Sequence, residues 1–161
     1  MPDASAARPP DSADRRRWMG ALARARTAEL EAAWTGLAVR PSYAFLRAPE
    51  TGLVLVRGRA GGIGAAFNLG EMTMTRCAVR PDFGAGSPRL TGLAFVAGRD
   101  HRHAELAAVF DALLQHPRYH AEVAAAVVAP IESRLARERQ EATAQAAQTR
   151  VDFFTLVREQ G

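Results

Sequence analysis

The stretch ETGLVLVRGRAGGIGAAFNLGEMTMTRCAVR, residues 50–80, leaves the chain few ways to fold. Two β-like segments are joined through the glycine cluster Gly61, Gly62 and Gly64. Leu53-Val54-Leu55-Val56 is a continuous apolar run, which predicts a strand covered on both faces. Residues 72–80 mostly alternate, so Met72, Met74, Arg76, Ala78 and Arg80 share one face of a strand and Thr73, Thr75, Cys77 and Val79 the other. On this pattern the arginines lie at the far end of one face, where the strand leaves the sheet. Arg57 and Arg59 likewise end the first strand on a common face. The glycine cluster is not a nucleotide-triphosphate loop, because no Lys-Ser or Lys-Thr pair follows and the next segment is strand-like. A hairpin turn that uses glycine for positive φ accounts for it.

Around this hairpin the sequence predicts an α+β fold, an antiparallel sheet with N-terminal helices and a C-terminal helical region. The 161 residues suit one domain with extensions. Residues 1–13, rich in Pro, Ala, Ser and Asp, read as a disordered lead; 14–130 form the α+β core; 131–161 form a helical arm. A helix is expected over Asp14–Arg26 with Trp18, Leu22 and Met19 inward, then a second capped by Thr27, with Leu30, Trp34 and Leu37 in register. Tyr43–Arg47 and Thr51–Arg59 read as strands across a short Ala-Pro-Glu connection, and Leu90–Ala97 as another. Asp100 is placed to cap a helix reaching about His116, with Leu106, Val109, Phe110, Leu113 and Leu114 as its core stripe. Pro117 interrupts it, and a further helix carries Val123, Val127 and Val128 inward.

Charge is unevenly spread. The net charge is +4, and residues 40–102 hold nine Arg against four acids, whereas residues 103–161 hold six against eight. The cationic middle fits an acidic partner or an anionic ligand, and every basic residue is Arg, which suits fixed bidentate contacts. A stand-alone anion- or nucleic-acid-binding module is the competing reading, although no aromatic residues flank the arginines as stacking platforms. Asp100, His101, His103 and Glu105 fall within two helical turns but lack the usual zinc-ligand spacing; capping and helix-dipole roles explain them. His116 and His120 read as surface residues. No metal site and no bound cofactor are expected. The single Cys77 excludes an internal disulfide, reads as a packed small side chain and points to a reducing compartment, the cytoplasm. No apolar run is long enough to span a bilayer, so no membrane association is expected.

The C-terminal region carries the clearest physical hint of a partner. Residues 131–150 have strong helix propensity but few large apolar groups, and then Val151, Phe153, Phe154, Leu156 and Val157 crowd together. Such a patch either folds back on its own domain or docks on another chain, and the residues alone leave both open.

Six blocks, in order, carry a resemblance. They are Arg15-x-x-Trp18-Met19, Glu50-Thr51-Gly52-Leu53-Val54, Arg59-x-Gly61-Gly62-x-Gly64, Thr73-x-Thr75-Arg76-x-x-Val79-Arg80, Gly98-Arg99-Asp100-x-x-His103-Ala104-Glu105 and Val151-Asp152-Phe153-Phe154-Thr155-x-Val157-Arg158. Together they resemble the PhnG family, the G subunit of the bacterial carbon–phosphorus lyase core complex. The resemblance implies assembly with H, I and J subunits, two copies of each. It further implies that, with an L subunit, the assembly makes ribose 1-methylphosphonate 5-triphosphate from MgATP and methylphosphonate, releasing adenine. MgATP is then a substrate of the complex, and this chain is an accessory subunit without a catalytic residue of its own. Arg59, Arg76, Arg80 and Arg99 are candidate contacts to anionic groups or to partner carboxylates, with structural ion pairs as the alternative.

Overall fold

The computed structural model describes residues 11–148, residue 39 excepted. Helices α1 (Ser12–Leu22) and α2 (Thr27–Gly36) lead into strands β1 (Tyr43–Arg59), β2 (Ala66–Pro81) and β3 (Gly92–Ala97). Helices α3 (His101–Gln115), α4 (Pro117–Val123) and α5 (Ala129–Gln148) follow. The strands form an antiparallel sheet in the order β1-β2-β3. The expected α+β fold is therefore present.

Helix α3 is the centre of the molecule. Its start is fixed as expected: the Asp100 carboxylate accepts the His103 N–H at 2.9 Å. It packs on β3, β2 and β1 along one side and against α1, α2 and α4 on others. The predicted stripe of Leu106, Val109, Phe110, Leu113 and Leu114 is buried, but so are Ala104, Ala107, Ala108, Asp111 and Ala112. Small alanines on the remaining faces let neighbouring elements close all round. Removing a Leu or Phe of this stripe from water contributes about 1.5–3 kcal/mol each. Gly92 permits the tightest approach, since a Cβ there would lie 1.9 Å from the Ala108 carbonyl oxygen.

Asp111 joins three elements. Its fully buried carboxylate accepts Arg15 Nη2 at 2.7 Å and Nε at 3.2 Å, Trp18 Nε1 at 2.9 Å and the Leu93 N–H at 2.9 Å. Gln115 Nε2 adds a contact at 3.2 Å. A buried anion is tolerated when paired and hydrogen-bonded in this way.

Several local expectations are corrected. β1 runs unbroken from Tyr43 to Arg59; Ala48 and Pro49 are absorbed by irregular register between Phe45 and Glu50 instead of ending a strand. Arg26, not Thr27, occupies the cap position of α2, with its N–H donated to Glu29 Oε2 at 2.8 Å. Thr27 instead donates to Asp100 Oδ2 at 2.6 Å. His120 is exposed as expected, whereas His116 is half-buried. His116 caps α4 and meets Phe83 and Tyr119, while His120 bonds the Leu114 carbonyl oxygen and meets the Trp18 ring. The chain passes through a π turn at Ala124–Val128 into α5, whose early residues are held by Arg17–Glu132 and Arg134–Glu29 ion pairs.

Candidate interaction surface on the sheet and its hairpin arm

Alternation along β2 sorts its side chains as the sequence predicts. Thr75, Cys77 and Val79 are buried under α3, while Arg76 and Arg80 lie on the open face. That open face carries half-buried Met72 and Met74 and, across the β2–β3 ladder, Phe95, which is half exposed. Cys77 is a packed thiol, pushed up to about 11 by burial and by the charge of Glu105. Burial and a hydrogen bond to Glu105 push the Tyr43 hydroxyl up to about 12.

Cover ends abruptly at the level of Thr51 and Thr75. Thr75 Oγ1 donates to the Gly98 carbonyl oxygen at 2.7 Å and lies 3.0 Å from Thr51 Oγ1, which in turn lies 3.0 Å from His101 Nε2. Each hydroxyl has one proton, so Thr51 donates to Thr75 and His101 Nε2 must donate to Thr51. This short relay pins the first turn of α3 to both long strands. Beyond it neither α3 nor β3 continues, since β3 ends opposite Met74.

Residues 53–73 therefore form a two-stranded arm. The Leu53–Val56 run is not covered on both faces as its composition predicts: Leu53 is 64% exposed and Leu55 56%. An apolar run marks a site of burial, but the described residues supply no layer at that height. Phe67 and Leu69 are also exposed, and Ile63 at the tip is 95% exposed. The turn itself uses Gly61 at φ 59°, as expected of a glycine hairpin.

The four candidate arginines do not converge. Arg59, near the tip, donates to the Gly64 carbonyl oxygen at 3.0 Å within its own turn. Arg76 sits mid-ladder between Glu50 and Phe95, not at the end of the strand, and donates to Glu50. Glu50 also accepts from Arg47, and these two hydrogen bonds, Arg47's first, hold its carboxyl below the usual range. Arg80 lies opposite Ala44 at the other end of β2. Arg99 follows Gly98, whose N–H donates to the Thr73 carbonyl oxygen at 2.9 Å. Arg80 and Arg99 are exposed, and among the described residues neither guanidinium has a hydrogen-bond or ion-pair partner. The positive middle is thus spread along the sheet. The anchor of Val151, Phe153, Phe154, Leu156 and Val157 lies outside the described residues.

Sequence reasoning did not single out Asp111, the Thr51–Thr75–His101 relay or the unsupported arm. A signal for the arm was present, because the two segments flanking the glycines are each longer than the third strand. Among the described residues no group of three His, Cys, Asp or Glu is placed to hold a metal ion, and no helix is long and apolar enough to cross a membrane.

A central helix under a short sheet, with apolar surface carried outward on a hairpin that the described residues leave uncovered, defines a small α+β protein. Comparison with known proteins gives the particular one. The family described as "Phosphonate metabolism protein PhnG" matches residues 13–159, and the chain belongs to it. A curated relative from Rhizobium meliloti (strain 1021), named alpha-D-ribose 1-methylphosphonate 5-triphosphate synthase subunit PhnG, is 44% identical over 146 residues. That alignment covers 91% of this chain and 90% of the relative.

Proposed function

We propose that this chain is an accessory subunit of an α-D-ribose 1-methylphosphonate 5-triphosphate synthase in organic phosphonate catabolism. The observation that carries the reading is identity of 44% across nine-tenths of both chains to a protein bearing that name. The exposed arm supports it, because apolar surface held away from the core is stabilised by burial against another chain. In this reading the partners are the H, I and J subunits, two copies of each, with the L subunit for synthase activity in the cytoplasm. MgATP enters as substrate of the complex, and this chain binds no cofactor of its own.

Joining methylphosphonate to C1′ of MgATP breaks the bond to adenine and gathers phosphonate and triphosphate charge at one place. Positive charge develops on the ribose as adenine leaves, and water must be kept away from that carbon. A subunit without reacting groups contributes by ordering its neighbour and by supplying fixed cations. Arg80 and Arg99, which have no described partner, are the residues available for anionic groups or partner carboxylates. Arg59 and Arg76 already serve the turn and Glu50. The segment Val151–Val157 is proposed as a second anchor on a partner.

The test is reconstitution of the synthase from its separate subunits with this chain present or left out. Adenine release from MgATP and methylphosphonate is expected only when it is present. Full turnover without it would defeat the reading. Deleting residues 151–161 is expected to leave the thermal midpoint unchanged and to weaken co-purification with the other subunits; undiminished co-purification would show the anchor to be dispensable.

A further inference from the structure

The arm's two faces are both apolar, and this restricts what can cover it. Cross-strand partners share a face, so Leu53 and Leu55, opposite Thr73 and Glu71, lie on the α3 side of the sheet plane, past the end of the helix. Val54 and Val56, opposite Met72 and Gly70, lie on the other side. Phe67 joins this second face as the partner of Gly58, and Leu69 packs over Gly58, where a Cβ would meet Leu69 Cδ1 at 2.7 Å. Exposed apolar groups thus stand on both sides of a ribbon roughly 20 Å long by strand rise. Among the described residues its two outer edges are unpaired, and a lone two-stranded hairpin is marginal in water.

The arm is also cationic, with Arg57 and Arg59 against Glu71. Arg59 is used by the turn, whereas Arg57 is exposed and without a partner among the described residues. A second copy of this chain related by a two-fold axis would cover one face of each arm, leave the other bare and bring like charges together.

We infer that the hairpin tip, residues 53–70, inserts into a two-walled apolar cleft of a different subunit of the synthase, with a carboxylate at the cleft's rim meeting Arg57. The inference rests on the proposed role as a subunit and adds which element docks, by which faces, and against what chemistry. Leu55 meets one wall and Phe67 with Leu69 the other, while Ile63 leads at the bottom. Insertion buries the hairpin edges as well as its faces, so contact and ordering occur together.

Four full-length variants test it, each co-expressed with the other synthase subunits and compared with the unaltered chain. Leu55→Glu and Phe67→Glu are each expected to reduce recovery of the assembled complex roughly tenfold or more, because each places a charge against one apolar wall. Arg57→Glu is expected to weaken assembly less and to remove part of its salt sensitivity. All three isolated chains should keep the unaltered thermal midpoint, since these side chains are exposed before docking. The fourth variant carries a photo-crosslinking amino acid at Ile63 and should label a different synthase subunit, identified by mass. Labelling of a second copy of this chain would overturn the inference. So would normal assembly of Leu55→Glu or of Phe67→Glu, since an arm bound on one face needs no cleft. Failure of the unaltered chain to join any synthase subunit would instead sink the subunit reading itself, and this inference with it.

Discussion

The same pair of strands lives in two environments. From Thr75 to Pro81 one face of β2 lies under α3, with Thr75 and Val79 fully buried, while the paired stretch of β1 is only partly covered, Phe45 and Leu46 each remaining 47% exposed. A few residues further along, Leu53 and Leu55 continue the alternation into open solvent. The sequences of the two regions differ little in apolar character. What differs is whether a helix stands opposite, so hydrophobic patterning states a demand for burial without saying which chain meets it. On β2 the described residues answer that demand; on the arm they do not.

The contrast can be tested by comparing substitutions in the covered region with one on the arm. The largest effect is expected at Asp111. Asp111→Ala leaves the Arg15 guanidinium and the Trp18 and Leu93 N–H groups without their acceptor and should cost about 3–5 kcal/mol of unfolding free energy, measured by urea denaturation. A cost below 1 kcal/mol would mean the node is not what closes the covered region. Next comes Gly92→Ala, whose methyl would overlap the Ala108 carbonyl oxygen; an overpacking cost of about 1–3 kcal/mol is expected.

A smaller effect is expected from acid at the border of the two regions. Hydrogen bonds from Thr27, first, and from the His103 N–H hold the Asp100 carboxyl below its ordinary 3.8. Its contribution is therefore complete above that value and lost as the pH falls through the lower folded value. Asp100→Asn keeps a capping oxygen but cannot titrate, so its thermal midpoint should fall less between pH 6 and pH 3 than that of the unaltered chain. Equal falls would remove Asp100 from the account. The smallest effect is predicted on the arm itself: Leu55→Thr should change the stability of the isolated chain by no more than about 0.5 kcal/mol. A loss comparable to Gly92→Ala would mean that the arm is packed internally after all.

The elements were legible in the sequence wherever a periodic signal coincided with punctuation. Asp100 followed by the Leu106–Leu114 stripe, Pro117 after His116, and glycines between two alternating runs each mark a boundary in chemical terms. The inward and outward sets on β2 followed from period two alone. What could not be read was whatever depends on distant partners. Asp111 looks like a polar interruption in an apolar helix until Arg15 and Trp18 are brought to it. Thr51 and Thr75 look like ordinary strand residues until His101 completes their relay. The four arginines share a sign and a sheet, yet their levels on the ladder depend on bulges near Pro49 and Val56 that composition does not announce.

The buried carboxylate at Asp111 also orders events during synthesis. Arg15 and Trp18 leave the ribosome early, but the acceptor they require is specified 96 and 93 residues later. Until α3 has emerged, the amphipathic first helix has no docking place and its Trp18 side chain remains open to premature association. Helix α1 is thus secured only after α3 has been made, and a chaperone that shields it would have its greatest influence during that interval.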